Sequence, residues 1–298
     1  MATVFYDKAA VSVEFDGVGE TLLASDFTVN LSTSQQPLYS IGGKGSLGQF
    51  PAAARVGDAS FNFLTTITGT THGSRGNIIN YLASGVKNSI GSQASGVIIS
   101  GAGVYGVGFL NSYSFNVASN TVSTSSASFT FFGSTTQDVL SGKLADSTAT
   151  VGVGPNASPQ VGTGIAHGRY TTLESLAYAS NIGFGTVAST VFGADYSISL
   201  NHSPVYKLGQ EFPTLTMYTT AQESINVTED VFNSGLAFNP DPADFTLNLS
   251  GLATPAQALN KSTKAMEVKM ISGKQVSTSM SAGLDDIVRT QKTLTAAY

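Results

Sequence analysis

Apolar and polar residues alternate along much of this chain with the two-residue period of a strand that buries one face. Asp26-Phe27-Thr28-Val29-Asn30-Leu31 sets Phe27, Val29 and Leu31 on one side and Thr28, Asn30 and Ser32 on the other. The pattern returns 169 residues later as Asp195-Tyr196-Ser197-Ile198-Ser199-Leu200, and the match runs back without a gap to Phe15 and Phe184. Further on, Pro37-Leu38-Tyr39-Ser40-Ile41-Gly42 matches Pro204-Val205-Tyr206-Lys207-Leu208-Gly209. Gln49-Phe50-Pro51 matches Glu211-Phe212-Pro213, and Phe61-Asn62-Phe63 faces Ile225-Asn226-Val227. Several short matches in one order predict a tandem duplication.

The pattern divides the chain into an N-terminal arm, 1–14, a first unit, 15–134, a linker or insertion, 135–183, and a second unit, 184–298. The arm ends in an alternating strand, Ala10 to Phe15, able to pair internally or with a neighbouring subunit. In the first unit, Thr71 to Gly76 forms a turn that caps a short helix. Its Ile78, Ile79 and Leu82 share one face before Gly85 stops it. Strands follow at Val104–Phe109, Tyr113–Val117 and Ala127–Phe131. The insertion carries helices near Thr136–Leu144 and after Thr171, where Glu174 completes a capping box, on either side of a Gly/Pro loop around Val153–Pro159. In the second unit Asn239-Pro240-Asp241-Pro242 is a break, Phe245–Ser250 a strand, and Thr254-Pro255 the cap and first turn of a helix bearing Ala258 and Leu259. The closing strands point Met266, Val268 and Met270 inward, then run over Gln275–Met280 and Val288–Leu294. A mainly β protein follows, with one short helix before the final strands of each half.

Composition narrows what such a protein does. With 298 residues, 41% hydrophobic and a mean hydropathy of +0.11, the chain has material for two cores. Only 11% of residues are charged, so much of the surface is polar but uncharged, which suits contact with other protein. The net charge of −5 and a pI near 5.1 argue against an electrostatic grip on nucleic acid. Cysteine is absent, which removes disulfides, thiolate nucleophiles and Cys-based metal sites. Met1 to Asp7 lacks the basic segment and apolar run of a secretory signal, and the stretch from Gly96 to Leu110 is too short and too Gly-broken to span a bilayer.

Candidate chemistry reduces to local structure. Gly42-Gly43-Lys44-Gly45-Ser46-Leu47-Gly48 has the wrong spacing for a phosphate-binding loop. Gly101-Ala102-Gly103-Val104-Tyr105-Gly106 has the letters of a dinucleotide fingerprint but runs on into an alternating strand. His72, His167 and His202 lie apart with no metal-ligand spacing, and no nucleophile elbow surrounds Ser74 beside His72. Asp285-Asp286 and Glu229-Asp230 read as solvated turn formers, and the Asn-X-Ser/Thr triplets at Asn30, Asn226 and Asn248 fall in strands. We therefore expect no enzyme and assign no catalytic, cofactor-binding or metal residue.

The strand-turn-Pro-X-Tyr-X-X-Gly and Phe-Pro blocks, the helix before the final strands and the polar alternating hairpins resemble bacteriophage tail tube proteins with two tube domains per chain. The resemblance covers both repeats. It implies two tandem β-sandwich or barrel domains, each with a short flanking α-helix, and hairpins lining an inner barrel. Homotrimers, or alternatively homohexamers, would stack as pseudo-sixfold rings into a virion tail tube. Genomic DNA would pass through its lumen without specific binding. The partners implied are further copies and other tail proteins, with assembly in the host cytoplasm and no membrane insertion. Loops 42–48 and 70–77, with the N-terminal arm, are the expected contacts between rings. A tail-tip hub or neck protein of the same fold, or a β-sandwich decoration or adhesion protein, is the alternative.

Overall fold

The computed structural model describes residues 11–16, 18–39, 42, 45–51, 54–65, 76–101, 104–118, 121–133, 160–161, 172–178, 191–230, 238, 240–250, 266–283 and 288–298. They form a mainly β protein. The first strands are β1 (Val11–Phe15), β2 (Val18–Leu22), β3 (Thr28–Ser32), β4 (Gln35–Tyr39), β5 (Ser46–Pro51) and β6 (Val56–Leu64), followed by helix α1 (Ile78–Lys87). Then come β7 (Val97–Gly101), β8 (Val104–Ala118), β9 (Thr124–Phe131), β10 (Gln160–Val161) and β11 (Thr172–Tyr178). The chain ends through β12 (Val191–Val205), β13 (Leu215–Asp230), β14 (Ala243–Ser250), β15 (Met266–Ser281) and β16 (Arg289–Ala297).

Strand pairing follows one path twice. In the first half the antiparallel neighbours run β1–β7–β8–β9–β6–β3. In the second they run β11–β14–β15–β16–β13–β12, the same order by rank along the chain. Registers agree as well as order: Thr28 opposes Ser60 and Asn30 opposes Asp58, just as Ser197 opposes Ser224 and Ser199 opposes Gln222. Both β8 and β15 carry a bulge in their ladder with the following strand, at Leu110/Ser112 and Gln275/Ser277. The halves join edge to edge, since Ser112 to Ala118 of β8 pairs with Ser199 to Gly193 of β12. The first half adds β2, which forms a hairpin with β1 and pairs in parallel with β10, and it extends the β3/β6 hairpin through β4 and β5.

Alternation decides which face is buried. Phe61, Phe63, Phe129, Tyr113, Phe115, Tyr196, Ile198, Ile225, Val227 and Leu294 turn inward and are nearly inaccessible. Phe61 stacks on Phe129 at 5.9 Å, and the Tyr196 ring lies 5.3 Å from Phe115 and 6.1 Å from Tyr113, so aromatic packing crosses the β8–β12 seam. Helix α1 covers this core with Ile78, Ile79, Leu82, Ala83 and Val86. Its N-cap is Asn77, whose Oδ1 accepts from Asn80 N at 2.9 Å. Glu20 Oε2 accepts from Ile78 N at 2.7 Å, a carboxylate at the positive end of the helix.

Several expectations are corrected. Gly85 does not end the helix: a Cβ there would meet nothing within 4 Å, the residue faces outward, and α1 continues to Lys87. The helix expected after Thr171 is strand β11, because Thr172 to Tyr178 gains an antiparallel partner in β14 that local capping signals do not reveal. The strands expected at Val104–Phe109 and Tyr113–Val117 are one strand bent at a bulge, and Gln275–Met280 is the second half of β15. Phe50-Pro51 ends β5, whereas Phe212-Pro213 lies in the β12–β13 connection, so that block is not equivalently placed. The stretches proposed as helices at 136–144 and 254–259 fall outside the described residues.

Candidate functional site

Opposite the core, the sheet presents rows of short polar side chains, because partners in register share a face. One row is Asn62, Ser126, Ser114, Ser197, Ser224, Thr295 and Lys274, crossing seven strands from β6 to β15. The next is Thr28, Ser60, Ser128, Ser112, Ser199, Gln222 and Ala297. A third is Thr124, Asn116, Asp195, Asn226, Thr293 and Ser277. Only Lys274 and Asp195 carry charge in these rows. Cross-strand hydrogen bonds occupy part of the polar capacity: Ser112 and Ser128 hydroxyls at 2.7 Å, Thr293 Oγ1 donating to Asn226 Oδ1 at 2.7 Å, and Asn116 Nδ2 donating to Asp195 Oδ1 across the seam. An open concavity of about 850 Å³ lies where Ser112, Ser114, Ser197, Ser199 and Ser224 approach Lys274. It is a wide polar trough, without converging reactive groups.

Beneath the sheet, several buried polar groups meet in fixed clusters. Glu223, on β13, accepts from Lys87 Nζ at 2.6 Å, Tyr196 Oη at 2.6 Å and Tyr298 Oη at 2.7 Å. Lys87 also donates to the Lys269 carbonyl at 2.6 Å, and Tyr298 Oη accepts from Ile271 N at 2.9 Å, so the knot ties α1 to β12, β13 and β15. Burial first, then the Glu223 charge, holds the Tyr196 and Tyr298 hydroxyls protonated well above the ordinary phenol range. Thr65 and Ser125 hydroxyls meet at 2.8 Å under the first half. At the corresponding positions of the second, Lys292 Nζ lies 3.9 Å from Glu229 Oε2, both buried. Burial lowers the Lys292 pKa against the opposing pull of Glu229.

One sequence reading changes here, and one histidine finds its place. Glu229 is no turn residue but an inward position of β13, on the same side as Ile225 and Val227. His202 sits in β12 among Phe109, Phe132 and Tyr218, bonded to Asn111 Oδ1, with its pKa lowered by burial. His72, His167, Asp285 and Asp286 lie outside the described residues, as do Lys44 and Ser74. Gly101 pairs with Val104 where antiparallel strands β7 and β8 meet, a context unlike that of a nucleotide fold, in which the glycines open a helix. Sequence reasoning passed over Glu223 and Lys292, whose signal was a charge at an inward position of an alternating strand.

Among the described residues no group of three His, Cys, Asp or Glu could hold a metal, and no helix is long and apolar enough to cross a membrane. Large apolar side chains are exposed at the tips of both long hairpins: Leu38, Tyr39 and Leu47 on one, Val205, Tyr206 and Leu208 on the other. A scan against protein-family models finds no match, and a search of curated proteins finds none either.

Proposed function

We propose that this chain is a structural subunit of a bacteriophage tail tube, its two halves acting as duplicated tube domains in adjacent positions of a ring. One observation carries the reading: the same six-strand path occurs twice, joined β8 to β12, with one polar, sparsely charged face continuing over the junction. Three chains built this way supply six equivalent positions, and the polar face becomes the wall of the channel.

The mechanism is architectural. DNA is gripped where lysines and arginines displace its condensed counterions, and the Ser, Thr and Asn rows offer almost none. Hydroxyl and amide groups already bonded to one another keep water at the wall, so a duplex slides past without sequence readout or lasting adhesion. The apolar hairpin tips serve contacts between successive rings.

Negative-stain microscopy of the purified chain tests this. Stacked hollow rings with a channel wide enough for duplex DNA are expected. Isolated rings that never stack favour a hub or neck role, and compact monomers at high concentration overturn the proposal.

A further inference from the structure

We infer that copies of this chain join head to tail through antiparallel pairing of the β3 edge of one copy with the distal half of β15 of the next, Thr28 opposite Ser277 and Asp26 opposite Ser279. The inference deepens the tube reading and rests on it for ring closure, but the register comes from the molecule's own internal seam. Inside the chain, β8 pairs with β12 so that Ser114 opposes Ser197 and Asn116 opposes Asp195. Each strand of that seam has a counterpart in the other half. Asn62 and Asn226 are matched residues; their sheet partners are Ser126 and Thr293, and the next partners are Ser114 and Ser277. Ser197 is matched by Thr28, and Asp195 by Asp26. The seam made once within the chain therefore prescribes a second, between Thr28 and Ser277, that no single copy can make.

Both edges are open for it. Among the described strands β3 pairs only with β6, and residues 274–281 of β15 pair only with β16. The side chains that the internal seam buries are left in solvent at the second. Leu31 is 50% exposed where its match Leu200 is 3%, and Met280 is 52% exposed where Val117 is 8%. An unpaired edge flanked by exposed apolar side chains is a template for another strand. The two edges differ in sequence, so the contact is heterologous and propagates from copy to copy until it closes.

The native chain has no cysteine, which makes cross-linking clean. Facing residues of an antiparallel pair hold their Cβ atoms ~4.5–5.5 Å apart, within reach of oxidative linkage after modest adjustment. Ser114→Cys with Ser197→Cys calibrates the same geometry inside one chain. Thr28→Cys with Ser277→Cys in the full chain should then lose its monomer band on a non-reducing gel and give interchain species. A mixture of T28C and S277C single variants should give a heterodimer and neither homodimer. The slipped pair Thr28→Cys with Thr278→Cys, whose side chains point to opposite faces, should stay monomeric on the gel. No interchain product where the internal pair is fully linked overturns the inference, as does self-linkage of T28C or equal linkage of the slipped pair. Tubes seen by microscopy without the cross-link would sink this seam and spare the tube. Cross-linked closed species that never stack would do the reverse.

Discussion

Replacing Glu223 with leucine tests whether the buried polar knot ties the helix to the second half of the sheet. The substitution strips Lys87 Nζ, itself buried, of its carboxylate at 2.6 Å and removes the acceptor for the Tyr196 and Tyr298 hydroxyls. Stranding one member of a buried ion pair costs ~3–5 kcal/mol, and a buried hydroxyl without its acceptor adds ~1–3 kcal/mol. Lys87 keeps its bond to the Lys269 carbonyl and Tyr298 keeps Ile271 N, which offsets part of this. A net loss of ~4 kcal/mol is expected, or a melting point lower by ~6 °C for a chain of this size. The double variant Glu223→Leu, Lys87→Met should recover at least ~2 kcal/mol relative to additivity, since an apolar pair of similar volume is tolerated where a lone ammonium is not. Urea unfolding followed by far-UV circular dichroism measures this, as tryptophan is absent. A Glu223→Leu loss below ~1 kcal/mol, or strict additivity of the two changes, would refute the knot as a stabilising tie.

Acidification should destabilise the fold through His202. Its folded pKa lies below the unfolded value, so as pH falls through ~6.5 the unfolded chain takes up the proton first and stability drops. Thermal melts at neutral and mildly acid pH should diverge less for His202→Gln; an unchanged acid sensitivity sinks the assignment. Gly108→Ala should cost ~1–3 kcal/mol, because the new Cβ would lie 2.9 Å from Phe131 Cε1 and 3.3 Å from Ile99 Cδ1. Gly85→Ala, in open space on α1, should instead stabilise by ~1 kcal/mol, and chemical denaturation that gives both the same sign contradicts the packing described. Under the tube reading, Leu47→Asp with Leu208→Asp should leave rings intact and abolish stacking, with unaltered tube lengths by microscopy as the contrary result.

Strand content was legible because alternation is a local property: the inward set Phe61, Phe63, Tyr196, Ile198 and Val268 was readable from parity alone. The matched blocks also pointed to strands that share a register, as Thr28/Ser60 and Ser197/Ser224 do. What stayed hidden was non-local. Thr172 to Tyr178 has a capping-box start and becomes a strand only because β14 lies beside it. Leu31 reads like Leu200 by letter, yet Leu200 is buried just past the last β8 partner of β12, while Leu31 lies on a strand whose outer edge has no partner among the described strands. The polar face escaped notice as a surface, since Ser112, Ser197, Ser224 and Thr295 are far apart in sequence and meet only across the ladders. Glu223 and Lys292 broke the inward pattern, and such breaks mark buried pairs.

The β8–β12 junction sets how the molecule can come apart. Backbone hydrogen bonds and the interleaved rings of Tyr113, Phe115 and Tyr196 run through it, while Lys87 from the first half reaches Glu223 in the second. A cut between the halves would strip a ladder from each fragment and part the Lys87 ammonium from the Glu223 carboxylate. Repetition of the strand path has thus left each half leaning on the other, so that a fragment ending between β9 and β12 would expose a sheet edge and aromatic rings that the intact chain keeps covered.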